Sequence, residues 1–267
     1  MNNARSSDFW DALAPHHSTL ENSYLDLPSL RCIVHDIHQP VLVVGAGQGL
    51  IVAELRKNGF QCDGVDLSSE MIRYAKIRRG LDLVQADASA MPFGKGSYST
   101  IIYATGVVDF MSDEEEIRLI LNEARRIADH SGKIFVAFYR FSAATEDFMA
   151  RLGLLRNNVL HFKEILEIYR LNPVQSIAWA AKRAKVGYAR AAILSVRSWA
   201  LSSWQEKRNV FHMQRIFASA NRADTLIQAA PEKQSYRNEA ETRNLFKRLA
   251  IPIKQLGAFG NCYIVQI

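Results

Sequence analysis

The sequence has few cysteines, no long apolar run and no apolar leader, and each absence excludes a class of protein. Only three cysteines occur in 267 residues, and they lie far apart, so neither a disulfide framework nor a set of metal ligands is indicated. No run of about 20 apolar residues is present to span a membrane, and the first residues do not resemble a signal peptide. We therefore expect a cytoplasmic protein without a bound metal.

The positive charge of the chain is concentrated in one segment. The whole chain carries a net charge of +6. Residues 171–220 contain eight lysines and arginines but a single acid, Glu206, so the remainder of the chain is close to neutral. Because 48% of the residues are hydrophobic, the chain is able to bury a sizeable core, as a globular enzyme does. The basic segment requires an explanation of its own.

Buried strands alternate with helical patterns between residues 40 and 140. The predicted strands are 41–44, 61–65, 81–85, 100–104 and 133–139. Such alternation indicates right-handed βαβ units and a parallel sheet covered by helices on both faces. A helix at 238–249 and strands at 251–256 and 262–267 complete the chain, with a turn at 257–261.

The stretch from 141 to 235 shows only helical patterns and no convincing strand. We therefore predict three parts. Residues 1–140 form an N-terminal segment and a cofactor-binding core, residues 141–235 form a helical insertion after the fifth strand, and residues 236–267 complete the core.

A glycine-rich turn, Gly45-Ala46-Gly47-Gln48-Gly49, follows the first predicted strand directly. Glycines allow the backbone to approach a ligand that any Cβ would push away. The following helix points its unpaired N–H groups at the same place. Position 50 is leucine, so the turn lacks the third glycine of the dinucleotide-binding pattern.

Two aspartates follow neighbouring strands. Asp66 ends the second strand and Asp87 comes just after the third. Since ligands of open parallel sheets bind outside the carboxyl ends of the strands, Asp66 is placed to accept both hydroxyl protons of a ribose. Asp87 is placed to bind an exocyclic amine of adenine. Each aspartate, taken alone, is better explained as a helix cap or an exposed loop residue, whereas sites at the ends of three successive strands are hard to obtain by chance.

These features together resemble the class I S-adenosylmethionine-dependent methyltransferases, above all the branch with the ubiquinone and menaquinone C-methyltransferases. The resemblance extends over about residues 9–139 and the last two strands. It implies a Rossmann-like α/β fold, with a seven-stranded, mostly parallel sheet, helices on both faces and a helical insertion after strand five. It also implies S-adenosylmethionine as the cofactor, contacted by Gly45, Ala46, Gly47, Gly49, Asp66, Leu67, Met71, Ala86, Asp87, Ala88 and Thr105.

The resemblance further implies catalytic candidates and a lid. Residues 105–110 would line the site of methyl transfer, with Asp109 where relatives often carry histidine. Residues 9–17 look like a segment that folds over the cofactor, with His16 or His17 where a tyrosine is common; a surface helix with two solvated histidines is the alternative. Asp109 ranks first among these three as a general base, needed only when the acceptor must lose a proton. Ser99 departs from the family, which usually has aspartate there.

The helical insertion bears on the substrate. Arg183, Arg190 and Arg197 recur every seven residues among apolar and aromatic ones, which predicts one basic stripe along a helix. Residues 176–215 would then contact an anionic membrane surface, or cover a small, apolar or lipid-like acceptor as a cap. No nucleic-acid-binding module is recognisable, so no nucleic-acid partner is expected. The alternative function is a non-catalytic S-adenosylmethionine-binding protein whose insertion contacts a membrane or a protein.

Overall fold

The computed structural model describes residues 7–19, 30, 32–111, 113–202, 204–232, 234–259 and 262–267. The chain divides into two compact units. We call residues 10–140 and 237–267 the core unit, and residues 141–236 together with 7–9 the helical unit. Within the described ranges, no helix is long and apolar enough to cross a membrane.

The elements of the first 140 residues alternate as the sequence predicts. In chain order they are α1 (Ser7–Leu13), β1 (Val41–Val44), α2 (Leu50–Lys57), β2 (Cys62–Asp66), α3 (Ser69–Arg79), β3 (Val84–Gln85), β4 (Tyr98–Tyr103), α4 (Glu114–Ile127) and β5 (Ala128–Tyr139).

The remaining elements are mostly helices. They are α5 (Ala143–Arg151), β6 (Leu155–Arg156), β7 (Val159–Leu160), α6 (Phe162–Ile168), α7 (Pro173–Ala184), α8 (Tyr188–Leu201), α9 (Trp204–Phe217), α10 (Ala220–Ala229), β8 (Gln234–Ser235), α11 (Glu239–Arg248), β9 (Gln255–Phe259) and β10 (Cys262–Gln266).

The core unit is built on a seven-stranded sheet of order β3-β2-β1-β4-β5-β10-β9 among the described residues. The first five strands pair in parallel, and β10 runs antiparallel to both of its neighbours. Every residue of β1 is buried, as expected for a strand covered on both faces. Helices α4 and α11 pack on one face, and α2 and α3 pack on the other. The predicted α/β fold with a Rossmann-like, mostly parallel sheet is confirmed.

Several predicted boundaries were wrong at the edges of the sheet. The strand predicted at 251–256 begins only at Gln255. Ile251 instead donates its N–H to the Phe246 carbonyl and closes the end of α11. It is buried all the same, so its apolar character reflects burial in a loop. Residues 257–259 of the predicted turn belong to β9, while Gly260 and Asn261 lie outside the described residues.

The helical unit contains a small sheet that the sequence analysis missed. Strands β6, β7 and β8 form a three-stranded antiparallel sheet. Asn157 and Asn158 join β6 to β7, both at positive φ (49° and 61°), as the favoured two-residue hairpin turn requires. The prediction of helices alone for this stretch was therefore wrong, although the asparagine pair between apolar residues was a usable signal.

The predicted single basic stripe was also wrong. Helix α7 ends at Ala184, and Lys185 adopts a left-handed conformation before α8 begins at Tyr188. Arg183 therefore lies on a different helix from Arg190 and Arg197. Its guanidinium pairs with Glu164 and donates to the Leu152 carbonyl. Arg183 thus contributes to the structure of the helical unit rather than to a basic face of α8.

Candidate cofactor site

The glycine turn after β1 requires glycine for steric reasons. Gly45, Gly47 and Gly49 have φ values of +70°, +54° and +82°, a region that other residues rarely adopt. A Cβ on Gly45 would collide with the Val107 side chain, and one on Gly49 would collide with Leu81. A Cβ on Gly47 would meet only His17, at 3.7 Å. Gly47 is thus the glycine of the turn that leaves room beside the backbone.

Asp66 ties the glycine turn to the start of α3. Its Oδ2 accepts the Gly47 N–H at 2.7 Å, and its Oδ1 accepts the Ser68 N–H at 2.9 Å. Ser68 in turn caps α3 by accepting the Met71 N–H, a role that serine favours at the start of a helix. Burial raises the pKa of Asp66, and the two backbone N–H groups partly oppose that rise. The carboxylate is therefore a half-buried acceptor that connects the ends of β1 and β2.

The N-terminal segment lies over three loops of the core unit. Asp11 accepts hydrogen bonds from the Ser68 hydroxyl and the Glu70 N–H. Gln48 donates its side-chain amide to the Ala14 carbonyl. The Trp10 ring covers Gly106, where an added Cβ would lie 3.3 Å from it. Residues 10–14 therefore contact the loops that follow β1, β2 and β4.

The two candidate histidines lie in a short 3-10 helix, Ala14–Thr19. His16 is half-buried. Nδ1 of His17 is buried, and its ring packs edge-on against Trp10 with centroids 6.2 Å apart. Burial, followed by the nearby charges of Arg78 and Arg79, lowers the pKa of His17 to about 4. His17 is therefore a neutral ring beside Gly47 at pH 7, and the alternative of two solvated histidines does not hold for it.

Asp109 is held by the backbone around it. Its Oδ2 accepts the Gly106 N–H at 2.9 Å, and its Oδ1 accepts the Tyr139 N–H at 3.2 Å. Burial raises its pKa to about 7, against the opposing charge of Arg237. Asp109 thus fastens the loop after β4 to the end of β5, and its role as a general base stays a prediction.

Arg237 also holds this loop, and the sequence analysis missed it. Its guanidinium donates to the Val108 carbonyl at 3.3 Å and to the Met111 carbonyl at 3.0 Å. It is 9% exposed. Nothing in the local sequence marks this arginine, because its partners lie more than 120 residues away.

Asp109→Asn should change how stability depends on pH. In the folded protein Asp109 has a pKa of about 7, against about 4 in an unfolded chain. The folded state therefore binds more protons between these values, and stability is lost as the pH rises towards 7. The full shift corresponds to about 4 kcal/mol at most. The unfolding free energy of the parent minus that of the variant should decrease across this interval, as measured by chemical denaturation.

The parent and the Asp109→Asn variant must be compared because His17 also makes the unfolding free energy depend on pH. Its pKa is lowered from 6.5 to about 4, so its contribution to stability is present above the unfolded value and is lost as the pH falls through the folded one. The two groups act in opposite directions, and the parent alone should show a flatter profile. A pH-independent difference between the parent and Asp109→Asn would contradict the buried, proton-binding state of Asp109.

The remaining predicted contacts lie along the ends of β2, β3 and β4. Asp87 is exposed, and its Oδ1 accepts both the N–H and the hydroxyl of Ser89, which closes its own turn. Ala86 donates its N–H to the Asp66 carbonyl, while Ala88 is half-buried. Leu67 is 38% exposed, whereas Met71 and Thr105 are buried. The structure thus brings Ala86 to Asp66, and the roles of these residues towards a cofactor stay predictions.

Comparison with known proteins agrees with this geometry. Residues 42–136 match the family model described as "Methyltransferase domain". A solved S-adenosylmethionine-dependent methyltransferase from Methanosarcina mazei is 13% identical, with a TM-score of 0.53 over 88% of this chain and 95% of that one. Another from Thermotoga maritima is 12% identical, with a TM-score of 0.52 over 97% of each chain. No curated protein sequence matches the chain.

The strand order and the glycine turn define the class of protein as a Rossmann-like cofactor-binding α/β protein. At these identities, the two solved structures support the fold alone. The family match adds methyl transfer, because residues 42–136 match a methyltransferase domain, which supports the class I, S-adenosylmethionine-dependent type. The predicted class is confirmed. The likeness to the ubiquinone and menaquinone branch stays a prediction.

Proposed function

We propose that the chain transfers the methyl group of S-adenosylmethionine to a small, apolar or lipid-like acceptor, and that the helical unit contributes to the choice of that acceptor. The observation that carries the proposal is the position of Asp66, whose carboxylate joins Gly47 to Ser68 beneath an N-terminal segment that contacts the neighbouring loops.

The chemistry of the site fits this cofactor. A carboxylate offers about four acceptor positions, and backbone N–H groups occupy two of those of Asp66. The other two suit the hydroxyl pair of a ribose. The space beside Gly47 suits the methionine part, which approaches the backbone closely. Leu67, exposed at 38% at the end of β2, offers an apolar surface for adenine.

The residues of the chain have a limited chemical task. Bound S-adenosylmethionine supplies a methyl group already activated by the sulfonium. The protein must align the acceptor and exclude water, and alignment alone contributes about 7–11 kcal/mol to a bimolecular step. Trp10 over Gly106 and Val107 over Gly45 form apolar walls suited to that task.

We propose that His17 does not act as a general base in the transfer and that Asp109 stays the first candidate for that role. An effective base has a pKa near the working pH, whereas His17 has a pKa of about 4. Asp109 has a pKa of about 7, and each of its oxygens accepts one backbone N–H, which leaves acceptor positions open as on Asp66. An acceptor that must lose a proton, such as a phenol, would therefore depend on Asp109, whereas an electron-rich carbon or a neutral amine would attack without it.

A survey of acceptors tests the proposal directly. The full chain is incubated with S-adenosylmethionine and panels of quinols, phenols, amines and fatty acids, and release of S-adenosylhomocysteine is followed by mass spectrometry. Product should form with an apolar acceptor and should be strongly reduced in Asp66→Ala. Cofactor binding without product from any panel would favour the non-catalytic alternative. Product from polar acceptors alone would contradict the proposed acceptor class.

A further inference from the structure

Helix α8 carries its large apolar side chains on the face that points away from the helical unit. Ile193 and Val196 are both 66% exposed, and Trp199 is 48% exposed. The face that packs against α5 and α7 is centred on small residues, with Leu194 half-buried beside them. Ala191 is 1% exposed, and the hydroxyl of Ser198 donates to the Ala144 carbonyl. A helix on a protein surface usually buries its apolar face. Helix α8 instead exposes Ile193, Val196 and Trp199 and buries small residues.

Cations border this apolar strip. At about 100° per residue, Arg190 and Arg197 lie along one edge of the strip formed by Ile193 and Val196. Both arginines are exposed. The sequence of α8 contains no acid. Asp147 of the helical unit, whose pKa Arg197 helps to lower, is already bound by Arg151 at 2.7 Å.

Aromatic residues border the other edge. Tyr188 is 66% exposed, and it lies within about 20° of Trp199 around the helix axis at the same periodicity. Because tyrosine and tryptophan combine an apolar ring with a polar group, they suit the boundary between lipid headgroups and acyl chains. The outward face of α8 thus combines an apolar strip, two arginines and two aromatic rings.

We propose that the outward face of α8 is a docking surface for an anionic lipid bilayer. Interfacial helices bury apolar side chains among the acyl chains while arginines bind the headgroups. A second copy of this chain fits the face less well. In a two-fold dimer the same patch of each chain meets that of the other. Arg190 and Arg197 would then lie near the same arginines of the second chain, and α8 has no acid to neutralise them. The proposal does not depend on the methyltransferase activity.

The test is cosedimentation of the full chain with vesicles of equal parts phosphatidylcholine and phosphatidylglycerol, and with vesicles of phosphatidylcholine alone. The parent should sediment with the anionic vesicles only. Arg190→Gln/Arg197→Gln should weaken binding about 30-fold, because each arginine near an anionic surface contributes about fivefold. Ile193→Asn/Val196→Asn should weaken it as well, while the charge-matched control Lys57→Gln/Lys254→Gln, on the core unit, should bind like the parent.

Two further measurements keep the outcome decisive. All variants should keep the circular dichroism spectrum and melting temperature of the parent, which shows that they are folded, since the substituted side chains are exposed. Sedimentation velocity without lipid reports self-association. Failure of the parent to bind anionic vesicles would overturn the proposal, as would parent-like binding by the double arginine variant. A parent dimer that Ile193→Asn/Val196→Asn converts to a monomer would instead identify the face as a contact between copies.

Discussion

Asp66→Ala should weaken the binding of S-adenosylhomocysteine about 100-fold or more. Two hydrogen bonds from ribose hydroxyls to the Asp66 carboxyl group contribute about 1.5–3 kcal/mol each, and each 1.4 kcal/mol is about a factor of ten. The substitution also releases Gly47 and Ser68 from the carboxylate that joins them. Isothermal titration calorimetry on the parent and the variant measures this effect.

The controls separate loss of the site from loss of the fold. Asp82, on the loop before β3, has an 83% exposed side chain and pairs with Lys76, so Asp82→Ala should bind S-adenosylhomocysteine like the parent. Circular dichroism must show that Asp66→Ala is folded at the temperature of the titration. Binding within about fivefold of the parent would contradict a role for Asp66 in holding the cofactor.

The core of the fold was predictable because its signals are local. Strand β1 is a run of four buried aliphatic residues followed directly by glycines, and Ser68 sits at a helix start where a cap is favoured. Because the carboxyl ends of parallel strands meet at one edge of the sheet, the sequence alone placed Asp66 beside the glycine turn. The structure adds that the Asp66 carboxylate accepts the Gly47 N–H itself.

The features that sequence reasoning missed depend on contacts between distant residues. Asp109 and Arg237 hold the same loop, yet they are separated by more than 120 residues, and no local pattern connects them. The periodicity of α8 identifies an amphipathic helix but not the face that packs inward. Small residues, Ala191 and Ser198, decide that orientation because they allow close approach of neighbouring helices. The prediction that Arg183 shares one stripe with Arg190 and Arg197 was wrong because the helix ends before Lys185.

Gly47→Ala should weaken S-adenosylhomocysteine binding about tenfold or more, while Gly59→Ala, its matched control, should leave binding unchanged. Both glycines have positive φ, +54° and +85°, so alanine at either position strains the backbone by about 1–2 kcal/mol. Neither new methyl group meets a protein atom closer than 3.7 Å. Both variants should therefore lose stability, Gly59→Ala at least as much as Gly47→Ala, with about 2–4 °C in melting temperature for each kcal/mol.

The binding difference between these two variants isolates the space beside Gly47 from backbone strain. The methyl group of Gly47→Ala would project towards His17, into the region where the close approach of the cofactor is proposed. Since a φ of +85° is less favourable for alanine than +54°, Gly59→Ala is the more severe test of strain alone. Calorimetry and thermal unfolding on both variants provide the measurement. Equal loss of binding in both variants would show that backbone strain causes the effect. Unchanged binding in Gly47→Ala would contradict the proposal that the cofactor approaches this turn closely.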